Sequence, residues 1–112
     1  MIEEHPASRL RIYLGESDHV DGHSTYEWLV LQAREQGLAG ATAFRAPLGF
    51  GHASRLHTAK ILRLSADLPM VVELVDSPER LRAFLDRVGE KLGSGLVTLE
   101  PVTVVTFVRG KT

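Results

Sequence analysis

Cysteine is absent from the 112-residue sequence, and this absence excludes several classes of function at once. A disulfide framework, a zinc site built on thiolates and a thiol nucleophile all require cysteine. An excess of charge is also absent, because 13 basic residues balance 14 acidic residues for a net charge of −1. Nucleic acid attracts strongly basic surfaces, so we expect no nucleic-acid partner.

Long hydrophobic runs are missing as well, since none approaches the roughly 20 residues that a membrane-spanning helix needs. The first residues are acidic and lack the apolar stretch of a secretion signal, which predicts a cytoplasmic protein. The length and the 44% hydrophobic content suffice for one core. We therefore predict a single domain over residues 1–112, with residues 1–7 as a flexible N-terminus.

Four segments have the composition and alternation of strands. Residues 10–14 alternate apolar side chains with charged or aromatic ones, which predicts a half-buried first strand. Residues 41–48, 70–76 and 96–108 are predicted as the second, third and fourth strands. Pro101 within the last of them indicates an edge strand, a bend or a bulge.

Two segments have the period of helices. The first is predicted to begin at Ser24, with Glu27 completing a capping box, and to end at Gly37. The second opens with a Ser-Pro pair at residues 77–78. Its apolar residues recur three and four positions apart as far as Leu92, as on one face of a helix.

The order of these elements predicts an α+β, ferredoxin-like βαββαβ fold, with an antiparallel sheet and both helices on one face. The strands carry apolar residues at both odd and even positions, as at Val71, Val72, Leu74 and Val75. A sheet that is apolar on both faces needs cover on both. We therefore expect the chain to oligomerise through the face that its helices leave open.

A connection of unusual length, residues 49–69, lies between the second and third strands. Structureless loops beyond about 12–15 residues in compact domains are usually functional or disordered, so we predict a mobile loop. Gly49 and Gly51 in this loop, and Gly93 and Gly95 after the second helix, permit turns whose free amides can bind an anion. Plain turn geometry is the competing interpretation for each glycine.

Arginine and histidine supply the candidate polar contacts. Arg45, Arg55 and Arg109 suit phosphate or carboxylate because a guanidinium donates in a planar fork, although each is equally consistent with a solvated surface residue. His52 and His57 lie in the long loop, where three roles remain open: contact with an anion or a partner, metal binding, or none.

No enzyme is predicted, and no catalytic residue is assigned. Ser54 and His57 lack both an elbow motif and an orienting acid, so they do not form a hydrolase pair. Asp67 is the only acidic residue in the long loop, which leaves its histidines without a full set of metal ligands. We therefore assign no metal site.

Several segments resemble a known family. GLAGAT at residues 37–42 resembles the glycine-rich entry to the second strand of PII signalling proteins. GFGH at residues 49–52, LSADLP at residues 64–69 and GLVTLE at residues 95–100 resemble the small bacterial PII-like family known as domain of unknown function 190. The resemblance covers about residues 10–108.

This resemblance implies a homotrimer that binds a small anionic ligand, such as an adenine nucleotide, in clefts between subunits. It also implies that residues 49–69 contact a protein partner, for which a membrane transporter is one candidate. Residues 93–95 correspond to the phosphate-binding loop of PII proteins. The predicted ligand-binding residues are Gly40, Ala41, Thr42, Arg45, Gly49, Gly51, His52, Arg55, Gly93, Gly95 and Arg109.

Two functions therefore remain open. The first is a non-enzymatic, PII-like signalling protein that binds an anionic metabolite and contacts a partner through its long loop. The alternative is a divalent-metal-binding trimer resembling the copper-tolerance proteins, which share this architecture. Metal titration distinguishes them, because the histidines predict metal binding only under the second.

Overall fold

The computed structural model describes residues 1–49, 57–58, 68–93 and 95–107. Two helices and four long strands, with two short hairpins, make up this part of the chain. In chain order the elements are β1 (Ile2–Gly15), β2 (His19–Val20), β3 (His23–Ser24), α1 (Thr25–Glu35), β4 (Gly40–Arg45), β5 (Leu48–Gly49), β6 (His57–Thr58), β7 (Pro69–Asp76), α2 (Pro78–Leu92) and β8 (Leu96–Phe107).

The four long strands form one sheet in the order β4-β7-β1-β8, and every neighbouring pair is antiparallel. Leu10 of β1 lies between Leu74 of β7 and Leu99 of β8, which fixes the register across the centre. Strand β7 separates β1 from β4 in this order, and β1 separates β7 from β8, as the two βαβ halves require. The predicted α+β, ferredoxin-like fold is confirmed.

The core lies between this sheet and the two helices. Successive side chains of a strand point to opposite faces, so the even-numbered residues of β1 and β7 face the helices. The even-numbered side chains at the centre of the sheet are almost completely buried, with 0–3% of their surface exposed. No helix in the described ranges is long and apolar enough to cross a membrane. The core residues are Leu10, Ile12, Val20, Trp28, Leu29, Ala33, Val72, Leu74, Leu81, Phe84 and Val88.

Helix α2 begins and packs as its sequence predicts. The Ser77 hydroxyl accepts a hydrogen bond from the backbone N–H of Arg80 at 3.2 Å, and proline follows in the first turn. The apolar stripe of Leu81, Phe84 and Val88 is 0–1% exposed. The predicted cap and the predicted buried face are both present.

Helix α1 begins differently from the prediction. Ser24 precedes the helix, but its side chain makes no capping hydrogen bond, so the expected capping box with Glu27 does not form. Ser24 belongs to β3 and pairs with His19, and the N–H of Thr25 donates to the carbonyl of Asp18 at 2.8 Å, so the hairpin sets the backbone at the start of the helix. The end of the helix is as expected, because Gly37 follows it with a φ of 75°.

The first strand is much longer than the sequence indicates. Residues 2–7, expected to be a flexible N-terminus, pair instead with residues 102–107 of β8. Strand β7 starts to pair with β1 only at Ser8, opposite Asp76. We call residues 2–7 and 102–107 the two-stranded extension. The β-branched side chains of β8 explain it, because they favour strand pairing even opposite an acidic segment.

The second predicted strand is interrupted near Pro47. Strand β4 ends at Arg45, and the N–H of Ala46 donates to the carbonyl of Pro69 at 2.8 Å. Leu48 and Gly49 then pair with residues 58 and 57, which makes β5 and β6 a separate two-stranded sheet. A proline cannot donate to the ladder, so the strand stops before it.

The open face of the sheet is less apolar than expected. Two ion pairs cross its centre: Arg11 with Glu73 at 2.8 Å and Arg9 with Glu100 at 2.5 Å. The hydrogen bond from Arg9 lowers the pKa of the Glu100 carboxyl, and the one to Glu73 raises the pKa of Arg11. The sequence predicted a more apolar face because β8 is rich in apolar residues. Those beyond Pro101, however, lie in the two-stranded extension and not on the four-stranded sheet.

One row of apolar side chains remains on this open face. The register places Phe44 beside Val71, Val71 beside Tyr13, and Tyr13 beside Leu96, so the row crosses all four strands. Val71 is buried, whereas Phe44 and Leu96 at the two edges are each 43% exposed. This row is the part of the open face that favours cover by another surface.

Candidate functional site

Part of the predicted site falls outside the structure. Gly51, His52, Arg55 and Arg109 are outside the described residues, as is most of the predicted mobile loop, residues 49–69. The remaining candidates lie on β4, at the end of β5, and around the turn between α2 and β8.

These candidates lie on opposite edges of the sheet. Gly40, Ala41, Thr42 and Arg45 belong to β4, one edge strand, whereas Gly95 precedes β8, the other edge strand. Three strand spacings separate these edges, a distance of about 14 Å. A small anion therefore cannot contact both sets of residues within one chain.

Some of them nevertheless lie at the same end of the sheet. Tyr13 pairs with both Val71 and Leu96, and Val71 pairs with Phe44. The last residues of β4 and the first residues of β8 are consequently level with each other. Arg45 thus shares an end of the sheet with the turn that precedes β8. Within one chain the two groups stay on opposite edges of the sheet.

The three predicted residues at the start of β4 do not cluster with Arg45. Gly40 pairs with Val75 near the other end of the strand, about 16 Å from Arg45 along its length. Ala41 packs against the core on the helix side, so its methyl group is unavailable to a ligand. Thr42 lies on the open face, opposite Glu73. The sequence analysis predicted these residues as members of one site, but the extended strand separates them.

Arg45 is paired with an acid that the sequence analysis did not single out. Its guanidinium donates a short hydrogen bond to the carboxylate of Glu16. The Glu16 side chain is 14% exposed, whereas that of Arg45 is 56% exposed. The carboxylate therefore lies beneath the guanidinium, which remains accessible from solvent. The separation of 29 positions along the chain leaves no sequence signal for this pair.

The backbone on both sides of this pair is fastened to the start of β7. The N–H of Glu16 donates to the carbonyl of Leu68 at 2.8 Å. The N–H of Ala46, next to Arg45, donates to the carbonyl of Pro69 at 2.8 Å. The two charged side chains are thus held in register by neighbouring backbone hydrogen bonds.

The turn after α2 has the conformation that glycine permits. Gly93 has a φ of 74° and a ψ of −118°, and its N–H donates to the carbonyl of Gly89 at 3.0 Å. Apart from the adjoining residues, no atom of the described ranges lies within 4 Å of the position of a Cβ at Gly93 or Gly95. Lys91, shortly before the turn, pairs with Asp21 at 2.8 Å. The turn is therefore open, and the nearby lysine is already engaged.

The histidines of the first hairpin do not build a metal site. His19 and His23 belong to β2 and β3, and Nδ1 of His19 donates to the carbonyl of Ser17. Within the described ranges, no three histidine, aspartate or glutamate side chains are close enough to hold a metal ion. The metal-binding alternative finds no support from this part of the chain.

Comparison with protein families gives one match that spans most of the chain. Residues 7–104 match the family DUF190, described as "Uncharacterized ACR, COG1993". A UPF0166 protein of Aquifex aeolicus (strain VF5) is 40% identical over 96 residues, which cover 86% of this chain and 90% of that protein. The resemblance found in the sequence motifs is confirmed.

Comparison with solved structures identifies PII-like proteins. CPII, a nitrogen regulatory PII-like protein from Thiomonas intermedia K12 bound to ADP, AMP and bicarbonate, superposes with a TM-score of 0.66 at 16% identity, covering 91% of each chain. A putative PII-like signaling protein from Thermus thermophilus has a TM-score of 0.58 at 16% identity, covering 93% of this chain and 92% of that one. At such identities the likeness establishes a shared fold.

Proposed function

Because this chain belongs to the DUF190 family and has the PII-like fold, we propose that it is a non-enzymatic signalling protein that binds a small anionic metabolite between subunits. Adenine nucleotides are the first candidates, since CPII is bound to ADP and AMP. The observation that carries the proposal is the placement of Arg45 and the glycine turn at residues 93–95 on opposite edges but at one end of the sheet.

The two groups offer complementary chemistry to a phosphate. Arg45 contributes a charged, accessible guanidinium, and charge-assisted hydrogen bonds of this kind are about twice as strong as neutral ones. Gly93 and Gly95 leave space for the close approach of an anion to backbone amides. Gly49, at the same end as Arg45, is a further backbone candidate. Gly51, His52, Arg55 and Arg109 remain predicted members of this site.

Edge-to-edge contact also specifies a type of assembly. An interface between the β4 edge of one subunit and the β8 edge of the next uses two different surfaces, and such a contact closes into a ring when the rotation allows. The resemblance to PII proteins implies a ring of three. With its open sheet face toward the centre, this homotrimer would cover the apolar row that ends at Phe44 and Leu96.

A signalling protein acts on a target protein. We assign this role to a protein partner in the cytoplasm or at its membrane, such as a transporter, contacted through residues 49–69. This assignment rests on the resemblance to the PII group and on the length of the connection.

Binding is tested by calorimetry on the full chain with ADP, AMP, ATP and bicarbonate, alongside light scattering for the mass of the assembly. We expect a trimer and at least one nucleotide ligand. Arg45→Ala should weaken binding about tenfold or more, as expected for a charge-assisted contact worth about 1.5–3 kcal/mol. Arg34→Ala, at an exposed position on α1, is the matched control and should bind normally.

A monomer at micromolar concentration would refute the assembly. Absence of binding for the whole ligand panel, in the wild type and in a Glu16→Gln variant alike, would refute the ligand class. Equal loss of affinity in both arginine variants would show that general surface charge, and not a site at Arg45, attracts the ligand.

A further inference from the structure

We infer that Glu16 sets the affinity of the proposed site by competing with the anion for Arg45. This inference rests on the proposed function, since it takes Arg45 to be the cation of that site. Glu16 and Arg45 form an ion pair, so the carboxylate partly neutralises the guanidinium. An incoming anion must share the guanidinium with this carboxylate or displace it.

The burial of the pair determines which member the ligand meets. Glu16 is 14% exposed and Arg45 is 56% exposed, so an anion from solvent reaches the guanidinium while the carboxylate lies behind it. The described hydrogen bond uses one terminal nitrogen of the guanidinium, which carries five N–H donors in all. Because 56% of the Arg45 side chain is exposed, an anion in solvent can reach further donors of this guanidinium.

Backbone hydrogen bonds hold the two segments that carry Glu16 and Arg45. Exposed ion pairs between long, mobile side chains contribute little, because their geometry is rarely held. Here the N–H of Glu16 is bonded to Leu68, and the residue after Arg45 is bonded to Pro69. These bonds hold the backbone segments of Glu16 and Arg45 next to each other, so the carboxylate is placed to compete with an anion for the guanidinium.

Charge decides the sign of the effect. A carboxylate about 6 Å from a bound anion disfavours binding by Coulomb repulsion, and in water-like surroundings one unit charge at that distance changes affinity about threefold. Release of the guanidinium from its partner adds to this gain. Removing the charge of Glu16 should thus strengthen binding, whereas removing that of Arg45 should weaken it.

The test measures ADP affinity by calorimetry for the wild type, Glu16→Gln, Arg45→Ala and the double variant, with inorganic phosphate as a second probe. Glu16→Gln keeps the shape of the side chain and should bind ADP at least about threefold more tightly. Glu27→Gln removes an equal charge from an exposed position on α1 and is the matched control. Its affinity should equal that of the wild type.

The double variant identifies the mechanism. If Glu16 acts by holding Arg45, the gain from Glu16→Gln should be larger with Arg45 present than with alanine at that position, where only the direct repulsion of about threefold remains. A gain of equal size in both backgrounds would overturn the inference, because it would reflect general repulsion. Glu16→Ala provides a second route should the glutamine variant fold poorly, and it should also bind more tightly than the wild type.

The remaining outcomes separate this inference from the proposed function. Wild-type binding with unchanged affinity in Glu16→Gln would overturn the role of Glu16 and leave the proposed function standing. Binding by Glu16→Gln alone would support both. Absence of binding in the wild type and in every Glu16 variant would overturn both.

Discussion

Asp76 and Arg80 form an ion pair, with Nη1 of Arg80 3.1 Å from Oδ2 of Asp76, at the junction of β7 and α2. The same carboxylate accepts the N–H of Ala39 at 2.9 Å and that of Ser77 at 2.7 Å. Arg80 also donates to the carbonyl of Gln36 at 3.0 Å. One pair of side chains thus fastens the end of α1, the entry to β4 and the start of α2.

This junction should be important for stability. The side chain of Asp76 is 11% exposed, and Asp76→Ala removes the acceptor of the exposed Ala39 amide and of the partly buried Ser77 amide. An unsatisfied buried donor costs about 1–3 kcal/mol, and we expect that reduction in the free energy of unfolding. Urea unfolding measures it. Asp86→Ala, at an exposed position on α2, should change the value by less than about 0.5 kcal/mol. Equal effects would refute the role of Asp76.

Two glycines at the end of α2 should respond oppositely to alanine. Gly89 is helical and has no atom within 4 Å of a Cβ, so Gly89→Ala should stabilise the protein by about 0.5–1 kcal/mol. Gly93 has a φ of 74°, and Gly93→Ala should destabilise it by about 1 kcal/mol or more. Gly95→Ala serves as a control because that position is open and lacks a positive φ. Thermal unfolding of the three variants tests the contrast, and a destabilised Gly89→Ala would contradict it.

The Arg9–Glu100 pair should make stability depend on acid pH. Arg9 holds the pKa of Glu100 below its ordinary value of 4.5. A depressed pKa means that the pair stabilises the folded state above the unfolded pKa, and that this stabilisation is lost as pH falls through the folded pKa. The stability difference between wild type and Glu100→Gln should therefore shrink between about pH 7 and pH 3.

Urea unfolding at several pH values measures this difference. Glu79→Gln is the control, since it removes a carboxylate from an exposed position on α2. A Glu100→Gln difference that stays constant down to about pH 3 would show that the pair does not contribute in solution.

The two-stranded extension should open more readily than the rest of β1. Residues 2–7 pair only with β8 among the described strands, whereas residues 8–15 are flanked by β7 as well. Local opening is easier where fewer contacts must break, so amide hydrogens of residues 2–7 should exchange faster than those of residues 10–13. Hydrogen exchange followed by NMR tests this order. Uniform protection along β1 would show that another surface covers the extension.

Local sequence patterns predicted those elements whose apolar residues pack into the core as the pattern indicates. The stripe of Leu81, Phe84 and Val88 and the cap at Ser77 define α2 in the sequence and in the structure alike. The absence of the capping box at Ser24 could not be predicted from the local sequence, because the preceding hairpin sets the backbone at the start of the helix. Residues 2–7 escaped prediction because their strand depends on β8, at the far end of the chain.

The candidate site was predictable in its chemistry but not in its arrangement. Glycine turns and Arg45 follow from residue type, whereas their positions on opposite edges follow from strand order. The partner of Arg45 illustrates the limit, since Glu16 belongs to an ordinary-looking turn and meets Arg45 only after β1 and β4 are in one sheet. Long-range pairing of this kind leaves no periodic signal.

The pairing of Ile2 with Phe107 has a practical consequence for labelling. Both residues lie at the tip of the two-stranded extension, about 35 Å along β1 from Tyr13 at a rise of about 3.3 Å per residue. Arg45 and Gly95 lie at the Tyr13 end of the sheet. A fluorophore or affinity tag joined near either residue is therefore remote from the proposed anion site, and labels on both would report on a single place in the molecule.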